Sequence, residues 1–164
     1  MQGRPAVARK RSKGLKQSDE ILIFKQVLQV PFKYSAGPVV SKFLSTLRDD
    51  KKILGIKCSK CGTVYLPPRS TCAKCSVHMS DWVELSGRGT LETFTTVHYP
   101  EPVQPVPTPY IIGVVKLDGA DTGLPHLIGE AEEKDLKIGM KLEAVFAEER
   151  KGHILDLKYF RPAK

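Results

Sequence analysis

Four cysteines, the only ones in the chain, are spaced so that they could bind a single metal ion. Cys58 and Cys61 form one C-x2-C pair, Cys72 and Cys75 form a second, and residues 62–71 separate the pairs. Two residues between cysteines allow one tight turn to present both thiolates to one ion, and two such turns complete the tetrahedron that zinc prefers. The pattern predicts one structural Zn²⁺ per chain. Redox dithiols or ordinary buried cysteines are the alternative, which a single pair would have left open.

No other residue pattern in the chain is typical of catalysis. Because all four cysteines are predicted metal ligands, no thiol remains to act as a nucleophile. His78, His98, His126 and His153 are scattered without a local motif that pairs them with carboxylates, so the surface or the rim of a barrel is their expected place. The stretch 87–89 lacks the third glycine and the following helix of a phosphate-binding loop. The sequence therefore predicts no catalytic residue, and that this chain is not an enzyme on its own.

The segment that holds the cysteines, residues 53–78, is predicted to form a rubredoxin-like zinc ribbon. Residues 63–66 have strand propensity, and two prolines at 67–68 turn the chain back toward the second cysteine pair. Gly62, directly after the first pair, tolerates the positive φ that such a turn often requires. Arg69 follows the prolines, and the sequence leaves open whether it contacts a phosphate, contacts a partner carboxylate or lies on the surface without a special role.

In the remainder of the chain, residues 79–164, apolar and polar residues alternate with the period of a β-strand from Val83 to Tyr99, and residues 110–117 are apolar on both faces. A long first strand is predicted from Asp81 to Tyr99, with a bend at residues 87–89. A proline-rich loop over residues 100–109 follows, and then come four shorter strands at 110–117, 126–131, 140–147 and 154–160. Five strands with a bent first member predict an OB-fold barrel, so the fold class is mainly β.

The formal charge of +8 belongs to the N-terminal part of the chain. Residues 1–52 contain twelve Lys/Arg and four Asp/Glu, a balance of +8, whereas residues 53–164 contain fourteen of each, a balance of zero. Residues 1–18 combine the basic cluster with little apolar content, and we predict a disordered tail there. The reducing environment that free zinc-binding thiols require predicts a cytoplasmic protein, and no apolar run has the length of about 20 residues that a membrane helix needs.

Between the tail and the ribbon, residues 19–52 are predicted to form a helical and extended arm. Residues 20–34 are apolar but ambiguous between strand and helix, and an amphipathic helix is predicted over 38–49, with Pro38 in its first turn. An isolated helix of this length is marginal in water, so the arm must either fold back on its own chain or dock on another protein. We favour docking, through the side chains of Phe24, Phe32, Tyr34, Phe43, Leu44 and Leu47.

These motifs together resemble one known family. The ribbon reads C-x-x-C-G-x-V-Y-L-P-P-R…C-x-x-C and is followed by W-V-E-L-S-G-R-G-T-L-E-T-F-T. This combination is similar to the acyl-CoA-associated zinc-ribbon/OB-fold proteins, a family long catalogued as a domain of unknown function. Further similarity lies at 31–37, 109–115 and 136–139, so the resemblance covers about residues 20–162. The second cysteine pair departs from the family in one respect, because Ser76 stands where glycine is common.

The resemblance implies a non-catalytic subunit of a hetero-oligomer with a thiolase-superfamily enzyme that acts on acyl-CoA. Within the family, the chain most resembles the zinc-finger subunits of thiolases such as benzoylsuccinyl-CoA thiolase, from anaerobic aromatic degradation. Acyl-CoA would then be bound through the complex, and Arg69 and Arg88 could lie near its phosphates. The alternative function is nucleic-acid binding, which zinc ribbons and OB folds also perform. The neutral charge of residues 53–164 and the single aromatic, Tyr110, in the predicted central strands argue against it.

Overall fold

The computed structural model describes residues 23–26, 28, 30–104 and 106–163. The predicted disordered tail, residues 1–18, lies outside the described residues, as do residues 19–22 of the predicted arm. The chain divides into two units, residues 1–34 and 35–164. Among the residues that the structure describes, none of the helices is long and apolar enough to cross a membrane.

The second unit contains one α-helix followed by strands. The helix and the strands are α1 (Gly37–Asp50), β1 (Ile53–Lys57), β2 (Val64–Tyr65), β3 (Asp81–Leu85), β4 (Arg88–Val97), β5 (Tyr110–Leu117), β6 (Leu124–Ile128), β7 (Lys141–Phe146) and β8 (Leu157–Pro162). Short 3-10 helices lie at Glu133–Asp135 and Ile154–Asp156. Strands dominate the described chain, which confirms the predicted mainly β fold class.

The strands form a small sheet and a closed barrel. The sheet has the order β2-β1-β3, with antiparallel pairing throughout. The barrel has the order β4-β5-β6-β8-β7 and closes through pairing of β4 with β7. All barrel pairs are antiparallel except β6 with β8, which meet in parallel at Ile128 and Phe160. A five-stranded barrel with this crossover is the Greek-key OB fold, so the predicted order of a zinc ribbon followed by an OB barrel is confirmed.

The first predicted barrel strand is in fact two strands that belong to different sheets. Gly87 adopts a φ of 75°, a left-handed conformation that glycine accepts without steric cost, and the chain turns there. The residues before the turn, β3, pair with β1 of the ribbon sheet, whereas the residues after it, β4, open the barrel. A β-bulge does occur in this region, but it lies between Leu91 and Thr93, where β4 pairs with β5. The single bent strand predicted over 81–99 is therefore wrong.

The ribbon sheet and the barrel share one hydrophobic core. Ile53 and Leu85 of the ribbon sheet are buried in the same cluster as Leu91, Leu142 and Phe160 of the barrel. Because this core is continuous, the two domains hold a fixed orientation to each other.

Hydrogen bonds from the β5–β6 hairpin reinforce this junction. The carboxylate of Asp121 accepts from the N–H of Val64 at 2.8 Å, and the N–H of Asp121 donates to the carbonyl of Val64 at 2.9 Å. The hydroxyl of Thr122 accepts from the N–H of Leu66 at 2.7 Å and donates to its carbonyl at 2.8 Å. The edge of β2 that faces away from β1 is thus occupied by the barrel.

Helix α1 packs on the core of its own chain, which corrects part of the docking expectation. Phe43 is 3% exposed and Leu47 is 1% exposed, and both belong to the cluster shared by ribbon and barrel, while Leu44 is half-buried against it. At the end of the helix, Arg150 Nε donates to the carbonyl of Arg48 at 2.6 Å. The amphipathic face is therefore covered by this chain, and Phe43 and Leu47 are not available to a partner.

The described part of the first unit has a different character. Residues 23–34 have no helix or strand among those described, and the rings of Phe32 and Tyr34 lie 5.9 Å apart. Phe24 is 81% exposed, Phe32 is 76% exposed and Tyr34 is 81% exposed. The docking role of these three side chains stays a prediction.

Candidate metal centre

The four cysteines converge on one point between the two turns of the ribbon. Their Sγ atoms all lie within 4.8 Å of one another, and those of Cys61 and Cys72 are 3.7 Å apart. Tetrahedral zinc at a Zn–S distance of about 2.3 Å requires sulfurs about 3.8 Å apart. The geometry of Cys58, Cys61, Cys72 and Cys75 therefore fits one zinc ion, as the spacing predicts.

The two cysteine turns have the same backbone hydrogen bonds. In the first, the N–H of Cys58 donates to Thr63 and the N–H of Gly62 donates to the carbonyl of Cys58, each at 2.9 Å. In the second, Cys72 N–H donates to Val77 at 3.0 Å and Ser76 N–H donates to Cys72 at 2.9 Å. Gly62 has a φ of 76°, and Ser76 has a φ of 54° at the equivalent place. The departure from glycine at Ser76 therefore puts a non-glycine residue in the left-handed region.

The sulfurs differ in exposure and in the groups around them. Cys58 and Cys72 are buried, Cys75 is half-buried and Cys61 is exposed. Ile56, Tyr65 and Met79 pack with the two buried cysteines in a small second core. This apolar wall excludes water from one side of the centre, whereas Cys61 faces solvent.

The hydroxyl of Tyr65 lies 3.3 Å from Cys72 Sγ. A zinc-bound thiolate has no proton, so in the metal complex the hydroxyl donates to the sulfur. The guanidinium carbon of Arg69 lies 4.9 Å from the centre of the Tyr65 ring, a cation–π arrangement. Arg69 therefore stacks on the residue that supports a zinc ligand.

Without a cation to balance their charge, the cysteine thiols differ in pKa. The hydrogen bond from Tyr65 lowers the pKa of Cys72 to about 6, and hydrogen bonds with Thr63 lower the pKa of Cys61. The hydrogen bond with Cys61, together with burial, raises the pKa of Cys75 to about 12. Four adjacent thiolates repel one another, so a divalent cation is needed for all four to be deprotonated together.

The centre can perform a structural role but offers no position for chemistry. Four thiolates complete the tetrahedral shell of zinc, so a bound ion would have no site for a water or a substrate. The zinc would join the turn after β1 to the turn before β3 and so fix the ribbon.

The two predicted acyl-CoA arginines lie in different surroundings. Arg69 is stacked on Tyr65 beside the zinc site. Arg88, at the start of β4, lines a cavity of about 250 Å³ together with Lys51, Lys52 and Glu143, and Arg69 is not among its lining residues. Whether either arginine approaches a phosphate stays a prediction.

Sequence reasoning missed several residues that matter for the site. His126 was expected at the surface or at the barrel rim but is buried in the barrel. Burial lowers its pKa, and its Nε2 donates to the carbonyl of Leu157 at 2.5 Å. Asp121 and Thr122 support the ribbon through hydrogen bonds to residues more than fifty positions away in the sequence, and Tyr65 supports it through its hydroxyl beside Cys72. The only local signal was the position of Tyr65 on the strand between the two cysteine pairs.

Comparison with known proteins agrees with this architecture. Residues 46–78 match the ChsH2 rubredoxin-like zinc ribbon domain, and residues 82–147 match the ChsH2 C-terminal OB-fold domain. A solved structure of the Ltp2-ChsH2(DUF35) aldolase has the same fold, with a TM-score of 0.59 at 24% identity over 80% of this chain and 100% of that chain.

Two curated relatives have a higher sequence identity to the chain than this solved structure has. The chain is 34% identical over 95 residues to a DUF35 domain-containing scaffold protein of Methanocaldococcus jannaschii. This alignment covers 57% of this chain and 67% of that protein. It is 27% identical over 142 residues to a protein of Thermomonospora curvata called "Probable enoyl-CoA hydratase alpha subunit", covering 85% of this chain but only 43% of that protein. The chain therefore belongs to the DUF35 family of zinc-ribbon and OB-fold proteins.

Proposed function

We propose that this chain is a non-catalytic, zinc-binding accessory subunit of a thiolase-type acyl-CoA enzyme complex. The observation that carries the proposal is the combination of a closed four-cysteine centre with a strongly exposed apolar arm. The centre accounts for every thiol, and the arm offers a surface that an isolated soluble protein has no use for. The scaffold protein of M. jannaschii and the enoyl-CoA hydratase subunit of T. curvata support an accessory role beside an acyl-CoA enzyme.

The non-catalytic role follows from the chemistry that thiolases require. Thiolase catalysis uses a cysteine thiolate as the nucleophile and a base to activate it. Here Cys58, Cys61, Cys72 and Cys75 are assigned to zinc, and His126 is enclosed in the barrel with its Nε2 bonded to a carbonyl. The reacting groups would therefore belong to the partner, and this subunit would support assembly and acyl-CoA binding.

The partner contact is assigned to the arm before α1. Phe24, Phe32 and Tyr34 are all more than three-quarters exposed, as are Ile23 and Leu28. Burying one large apolar side chain contributes about 1.5–3 kcal/mol. Three aromatic side chains that dock together would therefore supply much of the free energy of a stable complex.

We also propose a substrate class for this complex. By its resemblance to the zinc-finger subunit of benzoylsuccinyl-CoA thiolase, the complex would act on an aromatic acyl-CoA. Arg88, with Lys51 and Lys52 in the same cavity, is better placed than Arg69 to approach CoA phosphates, because Arg69 is occupied by the Tyr65 ring. Calorimetry of the isolated chain with CoA should show little affinity, since the enzyme subunit would supply most of the site. Tight binding by this chain alone would instead indicate a carrier.

The proposal is tested by co-expressing the chain with a benzoylsuccinyl-CoA thiolase-type catalytic protein and purifying through a tag on the chain. We expect a stable complex with wild type and loss of the catalytic protein when Phe24, Phe32 and Tyr34 are all replaced by serine. Ile138→Ser is the matched control, because Ile138 is also an exposed apolar residue, in a loop of the barrel. No co-purification with wild type would contradict the proposal, and strong nucleic-acid absorbance at moderate salt would favour the alternative function.

A further inference from the structure

A second surface of the molecule, at the mouth of the barrel, has no role in the proposal so far. A cavity of about 390 Å³ opens between the ends of β4, β5 and β6 and the 3-10 helix at Glu133–Asp135. Its apolar walls include Ile111, Ile128 and Ala131. This volume lies within the range of about 300–1,000 Å³ that is usual for binding pockets.

The rim of this cavity carries negative charge. Glu132 and Glu133 line it, and neither lysine nor arginine does. Thr96 donates to Glu133 Oε2 at 2.7 Å and so fixes that carboxylate at the edge. Glu132 pairs with Lys134 at 2.6 Å, but both side chains are more than 70% exposed, so the pair contributes little. The site therefore combines an apolar interior with two carboxylates, one of them held in place.

A loop rich in proline extends the surface beside the cavity. Its two ends, His98 and Pro109, line the cavity, while Val103 is 91% exposed. Gln104 orders the near half of the loop, because its side chain donates to the carbonyl of Tyr99 and accepts from the N–H of Glu101, each at 3.0 Å. A loop segment that is held by such hydrogen bonds and presents an apolar residue to solvent is typical of a contact surface.

We propose that this cavity receives an arginine side chain of the catalytic partner. The inference rests on the proposed function, and it names the chemistry that the partner would present. An arginine has an apolar stem that fits beside Ile111 and Ala131, and a guanidinium that pairs with carboxylates such as Glu132 and Glu133. The carboxylates would repel the phosphates of CoA, so an acyl-CoA is a poor occupant. A purely apolar side chain would make no ion pair with these carboxylates and would use only the apolar walls of the cavity.

The arginine would act as an anchor of the interface. Arginine is among the residues that contribute most to binding when they enter a pocket that excludes water, and its planar fork suits paired oxygens better than lysine does. The exposed loop around Val103 would cover the edge of the same contact. The described residues of the arm and the barrel mouth would then both contact the partner.

The test measures the dissociation constant between the purified chain and the thiolase-type partner that co-purifies with it. Glu132→Lys places a positive charge beside Glu133 and so cancels the net negative charge of the rim, and Ala131→Trp fills the cavity while leaving the charge unchanged. We expect each variant to weaken binding by at least about 10-fold. Glu149→Lys is the matched control, because it makes the same charge change at an exposed residue that does not line the cavity, and it should alter the constant by less than about 2-fold.

The outcomes separate the inference from the proposed function. A partner variant that replaces the anchoring arginine by glutamate should restore binding to Glu132→Lys, since the charges are then exchanged. Wild-type dissociation constants for both Glu132→Lys and a folded Ala131→Trp would overturn the inference while leaving the accessory role intact. Absence of any complex with wild type would overturn both. A homodimer of the chain that Ala131→Trp dissociates would also overturn it, because the occupant would then be a second copy.

Discussion

The hydroxyl of Tyr65 provides a direct test of how the ribbon supports its metal. Tyr65 is 4% exposed and its hydroxyl lies 3.3 Å from Cys72 Sγ. Tyr65→Phe removes this single oxygen and leaves the ring that packs against Met79 and Arg69. The change therefore isolates one hydrogen bond to a zinc ligand from the packing around it.

The expected loss of zinc affinity follows from the environment of that bond. A hydrogen bond to a charged group contributes about 1.5–3 kcal/mol. Each step of about 1.4 kcal/mol corresponds to a tenfold change in affinity. We therefore expect Tyr65→Phe to bind zinc about 10- to 100-fold more weakly, which is the range typical of lost outer partners of metal ligands.

The measurement is a zinc titration against a competing chromophoric chelator at constant pH. Tyr159→Phe is the control, because Tyr159 in β8 donates to Glu130 Oε1 at 2.7 Å and its hydroxyl has no cysteine partner. The control should keep the zinc affinity of wild type. Equal affinities for wild type and Tyr65→Phe, or equal losses in the two variants, would refute the assignment of Tyr65.

Three further predictions concern stability. Ser76→Gly should raise the free energy of unfolding of the zinc protein by up to about 1 kcal/mol in chemical denaturation, because it relieves a φ of 54°, and a decrease would contradict the backbone argument. Asp156→Asn should lower the free energy of unfolding by about 1–3 kcal/mol at pH 7, because it weakens the hydrogen bonds that the Asp156 carboxylate accepts. Burial raises the pKa of Asp156, but the N–H groups of residues 151–153 have the larger effect and lower that pKa overall. The difference from wild type should shrink as the pH falls below about 4, since the bonds of a carboxylate with a lowered pKa are lost on protonation, and a constant difference would contradict this origin. Chelation of zinc should unfold the ribbon, seen as rapid proteolysis within residues 53–85, and a metal-free preparation that resists protease would argue against a structural ion.

The parts of the fold that sequence could predict are those that local spacing determines. The two-residue spacing defines a turn between Cys58 and Cys61 and a second turn between Cys72 and Cys75. Each turn supplies two thiolates, and four thiolates complete a tetrahedron. The apolar run at residues 110–117, bounded by the proline-rich loop before it and by Asp118 and Gly119 after it, likewise identifies β5 as a strand without reference to its neighbours. The metal ligands and the β content could therefore be predicted without knowledge of contacts between distant residues.

The parts that could not be predicted depend on pairing between distant residues. Residues 81–85 and 88–97 have the same alternation, so the pattern cannot show that they belong to two sheets, and only the turn at Gly87 separates them. The amphipathic pattern of α1 indicated that its apolar face is covered, but it could not indicate whether the covering surface belongs to this chain or to a partner. The hydrogen bond of Tyr65 joins residues on either side of the turn at 67–68, and its partner depends on how that turn folds.

The bonds from Asp121 and Thr122 to β2 bear on how the metal site could be isolated. A peptide of residues 53–78 would retain every zinc ligand but would lose β3 and the hairpin that covers β2. Val64 and Leu66 would then present free peptide groups to solvent, and such bare strands recruit one another into aggregates. We therefore expect the isolated ribbon to be a poor metal-binding tag, because the peptide groups of β2 are paired by a barrel loop more than fifty residues further along the chain.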